Sequence, residues 1–120
     1  MQGDKLTIVA EDDHKKFIGV VRFWCSPCCN NKWLIEGLEI IQPMRGKGVG
    51  KTMVMYGLKR LNDLGIEKVS ENIKNNNLPS IKLHENLGFV RISIGCFNSF
   101  GEFRKNIEDE YIMILNKKFF

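Results

Sequence analysis

The stretch QPMRGKGVGKT, from Gln42 to Thr52, contains the residue types that hold phosphate groups. Glycines let the backbone approach a ligand closely, because they carry no obstructing side chain. The first amides of a helix have no partner within the helix, and with the helix dipole they attract anions. The glycines and basic residues of this stretch are Gly46, Gly48, Gly50, Arg45, Lys47 and Lys51. We expect a pyrophosphate site here; the alternative is a glycine-rich turn with solvated basic side chains.

The stretch does not match the Walker A pattern of nucleotide hydrolases, G-x-x-x-x-G-K-[ST]. Counted back from Gly50, the first glycine of that pattern would fall at position 45, which is Arg45. Such hydrolases also need a strand that ends in Asp to hold magnesium, and we find no such strand downstream. A nucleotide switch of this type is therefore the least favoured of the functions considered.

Three predicted strands precede this loop and must position it. They are KLTIVAED, FIGVVRFWC and WLIEGLEII, and we expect them to form an antiparallel meander. From Gly48 to Gly65 the pattern changes to a helix, because Val54, Leu58 and Leu61 recur at helical spacing. The strand IEKVSENIK follows after a crossover, so it is expected to run parallel to its partner.

A second helix is predicted to begin near Asn77, a candidate N-cap, with Pro79 in its first turn. It stops at Gly88, and the strands FVRISIGCF and EDEYIMILN complete the chain. The predicted order is βββαβαββ. This order indicates an α/β fold with a mixed sheet in one domain spanning residues 1–120.

The composition favours a soluble cytoplasmic protein. Of its 120 residues, 43% are hydrophobic and 27% are charged, which is ordinary for a globular domain. The net charge of +4 is too weak to indicate nucleic acid, and a phosphate-rich ligand explains it as well. No apolar run approaches the roughly 20 residues of a membrane span, and the start of the sequence does not resemble a signal peptide.

The four cysteines do not make a complete metal site. The stretch CSPCC contains Cys25, Cys28 and Cys29 and therefore one C-x-x-C pair, but only Cys96 and two histidines remain elsewhere. A structural zinc site usually shows a second pair. We expect free thiols, as in a reducing cytosol, and no metal. Zinc and a disulfide are the alternatives.

Two motifs in register resemble those of the GNAT acetyltransferase superfamily. The first, R-x-x-G-x-G, is met by Arg45, Gly48 and Gly50. The second requires an Asn, a Ser, an aromatic acid and a final Gly-Phe, and those places are filled by Asn77, Ser80, His84, Gly88 and Phe89. His84 departs from the usual tyrosine. The resemblance covers nearly the whole chain and implies a sheet that splays beside its third strand.

The resemblance implies acetyl-CoA as the cosubstrate. The glycine loop would hold its pyrophosphate, through Arg45, Gly46, Lys47, Gly48, Val49, Gly50 and Lys51. The preceding strand would hold the pantetheine arm and the thioester, through Leu38, Glu39 and Ile40, and an N–H near Ile40 would stabilise the oxyanion. Asn77 would bind the pantetheine arm, cap the helix, or both. Ser80 and Lys82 would reach the CoA phosphates, unless Lys82 is only a solvated helix residue.

An amine acceptor must lose a proton before it attacks. A lysine-type amine has a pKa of about 10.4 and needs a base at neutral pH. Glu36 lies nine residues before Arg45, which is the spacing of the catalytic glutamate in the polyamine branch that this region resembles. We predict that Glu36 is this base; the alternative is a solvated carboxylate. Glu39 is expected on the opposite face of a regular strand. The position used by N-terminal acetyltransferases is Asn72, which cannot act as a base.

The leaving thiolate is often protonated by a tyrosine in this family, and the matching position is His84. A neutral imidazole carries one N–H that it can donate, so we predict that His84 is the acid. In the alternative, His84 only packs against the cofactor and water protonates the thiolate.

Family members normally carry a strand and two helices before the strand KLTIVAED, and we expect this chain to lack them. The exposed side then indicates a homodimer, an acceptor large enough to dock on an open face, or a degenerate domain. The leading hypothesis is an N-acetyltransferase, and the alternative is a non-catalytic acyl-CoA-binding sensor or interaction module. Polyamines, aminoglycosides, small amines and protein amines all remain open as acceptors.

Overall fold

The computed structural model describes residues 4–26, 32–97, 100–103 and 107–115. Within these ranges the chain forms strands β1 (Lys5–Glu11), β2 (Phe17–Ser26), β3 (Lys32–Ile40), β4 (Lys68–Lys74), β5 (Val90–Ile94) and β6 (Glu108–Ile114). Its helices are α1 (Val49–Asp63) and α2 (Leu78–Leu87), with a 3₁₀ turn at Gln42–Met44. The predicted order βββαβαββ is confirmed.

The six strands form one mixed sheet in the order β1-β2-β3-β4-β6-β5. Strands β1, β2 and β3 are antiparallel neighbours, as the meander prediction required. Strand β4 runs parallel to β3, as its crossover connection predicted. Strand β6 lies antiparallel between β4 and β5. The predicted mixed α/β fold is therefore confirmed.

Both helices cover the same face of the sheet. The crossovers from β3 to β4 and from β4 to β5 run in the same direction across the sheet. Such connections are right-handed, so α1 and α2 lie on the same face. The side chains of Val54, Leu58 and Leu61 are completely buried in the core on this face. Helix α1 lies very close to β2, because a Cβ on Gly57 would be only 2.1 Å from Phe23 Cε1.

The helix ends fall where the sequence predicted them. Asn77 is the N-cap of α2, and its side-chain oxygen accepts a hydrogen bond from the Ser80 backbone N–H at 3.3 Å. Gly88 ends α2 in the left-handed conformation. Gly48 is the N-cap of α1. These boundaries place the starts of both helices beside the same end of β3 and β4.

The cysteine prediction is tested only in part. Cys25 and Cys96 are buried and free, whereas Cys28 and Cys29 lie outside the described residues. In the ranges that the structure describes, no group of three or more His, Cys, Asp or Glu side chains is placed to hold a metal ion. The same ranges contain no helix that is long and apolar enough to cross a membrane.

Candidate active site

A cleft opens where β3 and β4 separate. The two strands are paired only at Leu34 with Ser70 and Ile35 with Glu71. Beyond these pairs the strands diverge, and a cleft of about 970 Å³ lies between them and the starts of the two helices. A volume of this size accommodates a cofactor-sized ligand. The splayed sheet that the family resemblance implied is therefore present.

A β-bulge in β3 lies at the mouth of this cleft. Arg22 of β2 is opposite Gly37, but Phe23 is opposite Ile35, so Glu36 is an extra residue on β3. The prediction that Glu36 and Glu39 lie on opposite faces assumed a regular strand. The bulge interrupts the alternation on which that prediction rested, and both residues line the cleft.

The free edge of β3 supplies backbone groups to the cleft. The Ile41 N–H donates to the Ile18 carbonyl on the β2 side, at 2.9 Å. Backbone groups of successive strand residues alternate in direction, so the N–H of Ile40 points away from β2. The Ile40 carbonyl follows the same pattern, since it accepts from Arg45 Nε at 2.9 Å. The Ile40 N–H can therefore donate to a ligand in the gap.

The glycine loop leads directly into α1. Gly48 has φ of +83° and caps the helix without a side-chain hydrogen bond, so no side chain competes for the first amides of α1. A Cβ added to Gly48 would meet nothing within 4 Å, which shows that the space beside it is open. The dipole of a 15-residue helix adds positive potential at this end. This arrangement suits an anion such as a pyrophosphate.

His84 is buried with both ring nitrogens in contact with other groups. Only 1% of its side chain is exposed, and its ring packs edge-on against Phe89 at 5.2 Å. Its Nδ1 lies 2.8 Å from the Ser80 carbonyl oxygen and 3.3 Å from Ser80 Oγ. Its Nε2 lies 3.2 Å from Glu71 Oε2. That second contact is close, but it is not aligned as a good hydrogen bond, so we treat it as electrostatic.

Glu71 is the partner of His84 and the more exposed of the two. Its side chain is 13% exposed and lines the cleft together with His84. Burial raises the pKa of Glu71; the contact with His84 opposes this rise, and the nearby carboxylates of Glu36 and Glu108 add to it. Burial by itself would lower the pKa of His84, but Glu71 and the Ser80 carbonyl outweigh it and the pKa is raised. The pair as a whole thus tends to keep a proton.

Nearly all of the predicted site residues lie around this one cleft. Of the fifteen positions, only Lys47 and Lys82 are not among its lining residues, and both are exposed. Asn77 caps α2 and also lines the cleft, so its two predicted roles are geometrically compatible. Glu39 is exposed and its Oε2 lies 4.0 Å from Arg22 Nη1, a distance at which surface ion pairs contribute little. The roles of all these residues stay predictions.

Comparison with known proteins identifies the family. The model of the acetyltransferase (GNAT) family matches residues 1–89, which include the glycine loop, the second motif and all cleft-lining residues except Glu108. The chain belongs to the GNAT family. The superfamily resemblance noted in the sequence is confirmed.

Among GNAT proteins, the chain is 30% identical over 94 residues to the SPbeta prophage-derived uncharacterized N-acetyltransferase YokL of Bacillus subtilis. That match covers 76% of this chain and 51% of YokL, so the chain spans about half the length of this relative. The PaiA N-acetyltransferase of Thermoplasma acidophilum, solved with coenzyme A, has a TM-score of 0.76 at 17% identity over 93% of this chain and 62% of its own.

A second solved GNAT structure has an amine in its complex. The spermidine N-acetyltransferase of Vibrio cholerae, solved with CoA and spermine, has a TM-score of 0.73 at 21% identity. The alignment covers 92% of this chain and 65% of the Vibrio chain. At these identities the likeness establishes the fold, and the GNAT fold of the chain is confirmed.

Glu71 is one of the cleft residues that sequence reasoning did not assign to the site. On β4 the buried Val69 and Ile73 flank it at a spacing of two, so strand alternation places Glu71 on the helix-covered face. A carboxylate on the apolar face of a strand was therefore a usable signal. Its partner could not be found in this way, because His84 is thirteen residues away on a different element.

Proposed function

We propose that the chain is a GNAT N-acetyltransferase that transfers the acetyl group of acetyl-CoA to a primary amine. The observation that carries this proposal is the cleft between β3 and β4, which joins a free strand edge to a glycine-capped helix start. A thioester donor with a pyrophosphate needs both parts at once: strand amides for its arm and an anion site for its phosphates. CoA in the Thermoplasma and Vibrio structures supports the same donor.

The glycine loop and α1 are the proposed pyrophosphate site. The amides that follow Gly48 have no side-chain cap, and Lys51 lines the same end of the cleft. Arg45 connects the loop to the end of β3, because its Nε donates to the Ile40 carbonyl. Lys47 and Lys82 are exposed and are proposed to meet the outer phosphates of CoA.

The free edge of β3 is the proposed site of the thioester. Attack by the amine on the thioester carbonyl places negative charge on the carbonyl oxygen, and the Ile40 N–H is proposed to stabilise it. Leu38 and Ile40 also line the cleft and would flank the pantetheine arm. We propose direct transfer with both substrates bound.

Glu36 is the proposed base. It lies on the bulge of β3. Its side chain is exposed and lines the cleft that the amine must enter. Bulges commonly reorient side chains near active sites. We propose a small-molecule amine as the acceptor, and the spermine in the Vibrio structure supports this class. A protein amine and a homodimer stay predictions.

Calorimetric titration tests the donor. Acetyl-CoA is expected to bind, free CoA to compete with it, and ATP with magnesium to bind far more weakly. Tight ATP binding with hydrolysis would instead support a nucleotide switch.

A further inference from the structure

The contacts of His84 fix how many protons it and Glu71 hold. A backbone carbonyl only accepts hydrogen bonds, so the Ser80 carbonyl 2.8 Å from Nδ1 requires a proton on Nδ1. Nε2 of a neutral ring would then carry a lone pair, and it faces Glu71 Oε2 at 3.2 Å. A carboxylate facing that lone pair would be repelled in a buried setting. One shared proton, on Nε2 or on Glu71, removes this repulsion.

Both residues of this pair line the cleft, but Glu71 is the more exposed end. The side chain of His84 is 1% exposed and that of Glu71 is 13% exposed. Both ring nitrogens already have neighbours, so a ligand in the cleft meets the carboxyl group before the ring. The proton can therefore leave through Glu71, while the more buried His84 contacts the Glu71 carboxyl group and fixes its position.

We propose that Glu71 and His84 share one proton and together form the acid that protonates the leaving thiolate, with Glu71 as the end that faces the cleft. This inference rests on the proposed acetyl transfer. The C–N bond forms, the C–S bond breaks, and the electron pair of that bond goes to sulfur, which takes the proton of the pair. The charged amine gives up two protons through Glu36: the one lost before attack goes to solvent, and the one lost as the C–N bond forms returns through water to the pair. Glu71 is then a catalytic residue and His84 a positioning residue.

The surroundings of the pair favour this proton over an unprotonated pair. Glu36 on β3 and Glu108 on β6 both act on Glu71 as like charges. Tyr111 of β6 is directly opposite Glu71 in the sheet and is buried. On α2, Ser80 contacts His84 Nδ1 through its carbonyl and its hydroxyl. In the described part of the chain, the two charged neighbours of Glu71, Glu36 and Glu108, are negative. A thiol with a pKa of about 8.5 can take a proton from a pair that contains an imidazole.

Nuclear magnetic resonance of the two ring nitrogens tests the pair without any acceptor. The chain has two histidines, and a His14→Gln variant leaves only the His84 signals. The parent is expected to show a proton on Nδ1 throughout, and an Nε2 that loses its proton only above the ordinary histidine pKa of 6.5. In Glu71→Gln, Nε2 should become an unprotonated acceptor at neutral pH. An unprotonated Nδ1 in the parent, or ring signals that Glu71→Gln leaves unchanged, would overturn the proposal.

Kinetics test the role in transfer. Once an acceptor is found, kcat of the parent should fall at alkaline pH as the pair loses its proton. Glu71→Gln should lower kcat by roughly 10²-fold, with KM for acetyl-CoA little changed, and should abolish that alkaline fall. Glu85→Gln removes an exposed carboxylate next to His84 that does not line the cleft and should behave as the parent.

An unchanged kcat and an unchanged fall of kcat at alkaline pH in Glu71→Gln would refute the role of the pair as the acid, while leaving acetyl transfer intact. If the parent transfers no acetyl group, the proposed function fails instead, and the resonance experiment still decides whether the proton is shared.

Discussion

Ile35 of β3 is paired with Glu71 of β4, and this is the last pair before the two strands separate. The next residue on β3 is the bulged Glu36, and the cleft begins there. Glu71 itself turns to the helix-covered face, where it meets His84. This one residue pair therefore sets the position of the cleft, of the proposed base and of the proposed acid.

The glycine loop can be tested with two glycines of the same conformation. Gly48 and Gly65 have φ of +83° and +86°, and a Cβ at either position would meet nothing within 4 Å. Valine at either position is strained to a similar degree, because β-branched residues rarely adopt positive φ. Only Gly48 lines the cleft.

We therefore expect Gly48→Val to abolish acetyl-CoA binding in a calorimetric titration, and Gly65→Val to lose stability but keep the affinity. Circular dichroism checks that both variants are folded. Equal affinity in the two folded variants would remove the loop from the binding site.

The proposed base can be tested by removing its charge. Glu36→Gln should keep CoA affinity and lower turnover by ~10²–10⁴-fold, as loss of a general base does. The loss should shrink as pH rises, because more of the amine is then neutral before it binds. Glu11→Gln removes an exposed carboxylate at the end of β1, away from the cleft, and serves as the control. A Glu36→Gln enzyme as fast as the parent at neutral pH would leave water as the proton acceptor.

His84 can be replaced with and without a proton donor. His84→Phe keeps an aromatic ring against Phe89 but leaves Glu71 without its partner, whereas His84→Tyr supplies a hydroxyl, as the usual family residue does. We expect Phe to lower turnover and Tyr to recover much of it, and pH–rate profiles would measure both. Equal rates for the two variants would show that His84 only packs.

The sequence predicted most of the fold and much of the site. The glycine loop and the Asn77 cap are local features, so their positions follow from short patterns around residues 45–51 and 77–80. The bulge at Glu36 has no such pattern, because it depends on how β2 and β3 pair. The contact between Glu71 and His84 likewise depends on packing α2 against β4, although Glu71 stands out as a charge on a buried face.

The stability of the fold should depend on the proton of the Glu71–His84 pair. Both pKa values are raised in the folded chain, so the protonated forms are the stabilising ones. This stability is complete below the ordinary values and is lost as pH rises through the raised values. The free energy of unfolding, from urea titrations, should therefore begin to fall above pH 4.5, the ordinary value for Glu71, and fall further above 6.5, the ordinary value for His84. Cys96 stays neutral here, since burial raises its pKa to about 11.

Glu71→Gln should flatten this pH dependence. Its neutral amide can donate to Nε2, so His84 no longer has a carboxylate that favours a proton on this nitrogen. Glu85→Gln should keep the pH dependence of the parent. A parent protein that grows more stable between pH 6.5 and pH 8.5 would contradict the raised pKa values.

Release of free thiol from acetyl-CoA, measured with a panel of amine acceptors, tests the central claim most directly. The panel should contain polyamines, aminoglycosides, small primary amines and peptides with free amines, and mass spectrometry should follow each acceptor. Our account predicts that at least one class releases CoA in equal amount to the acetylated amine formed. Tight binding of acetyl-CoA without thiol release from any class would contradict catalysis and identify the chain as an acyl-CoA-binding module.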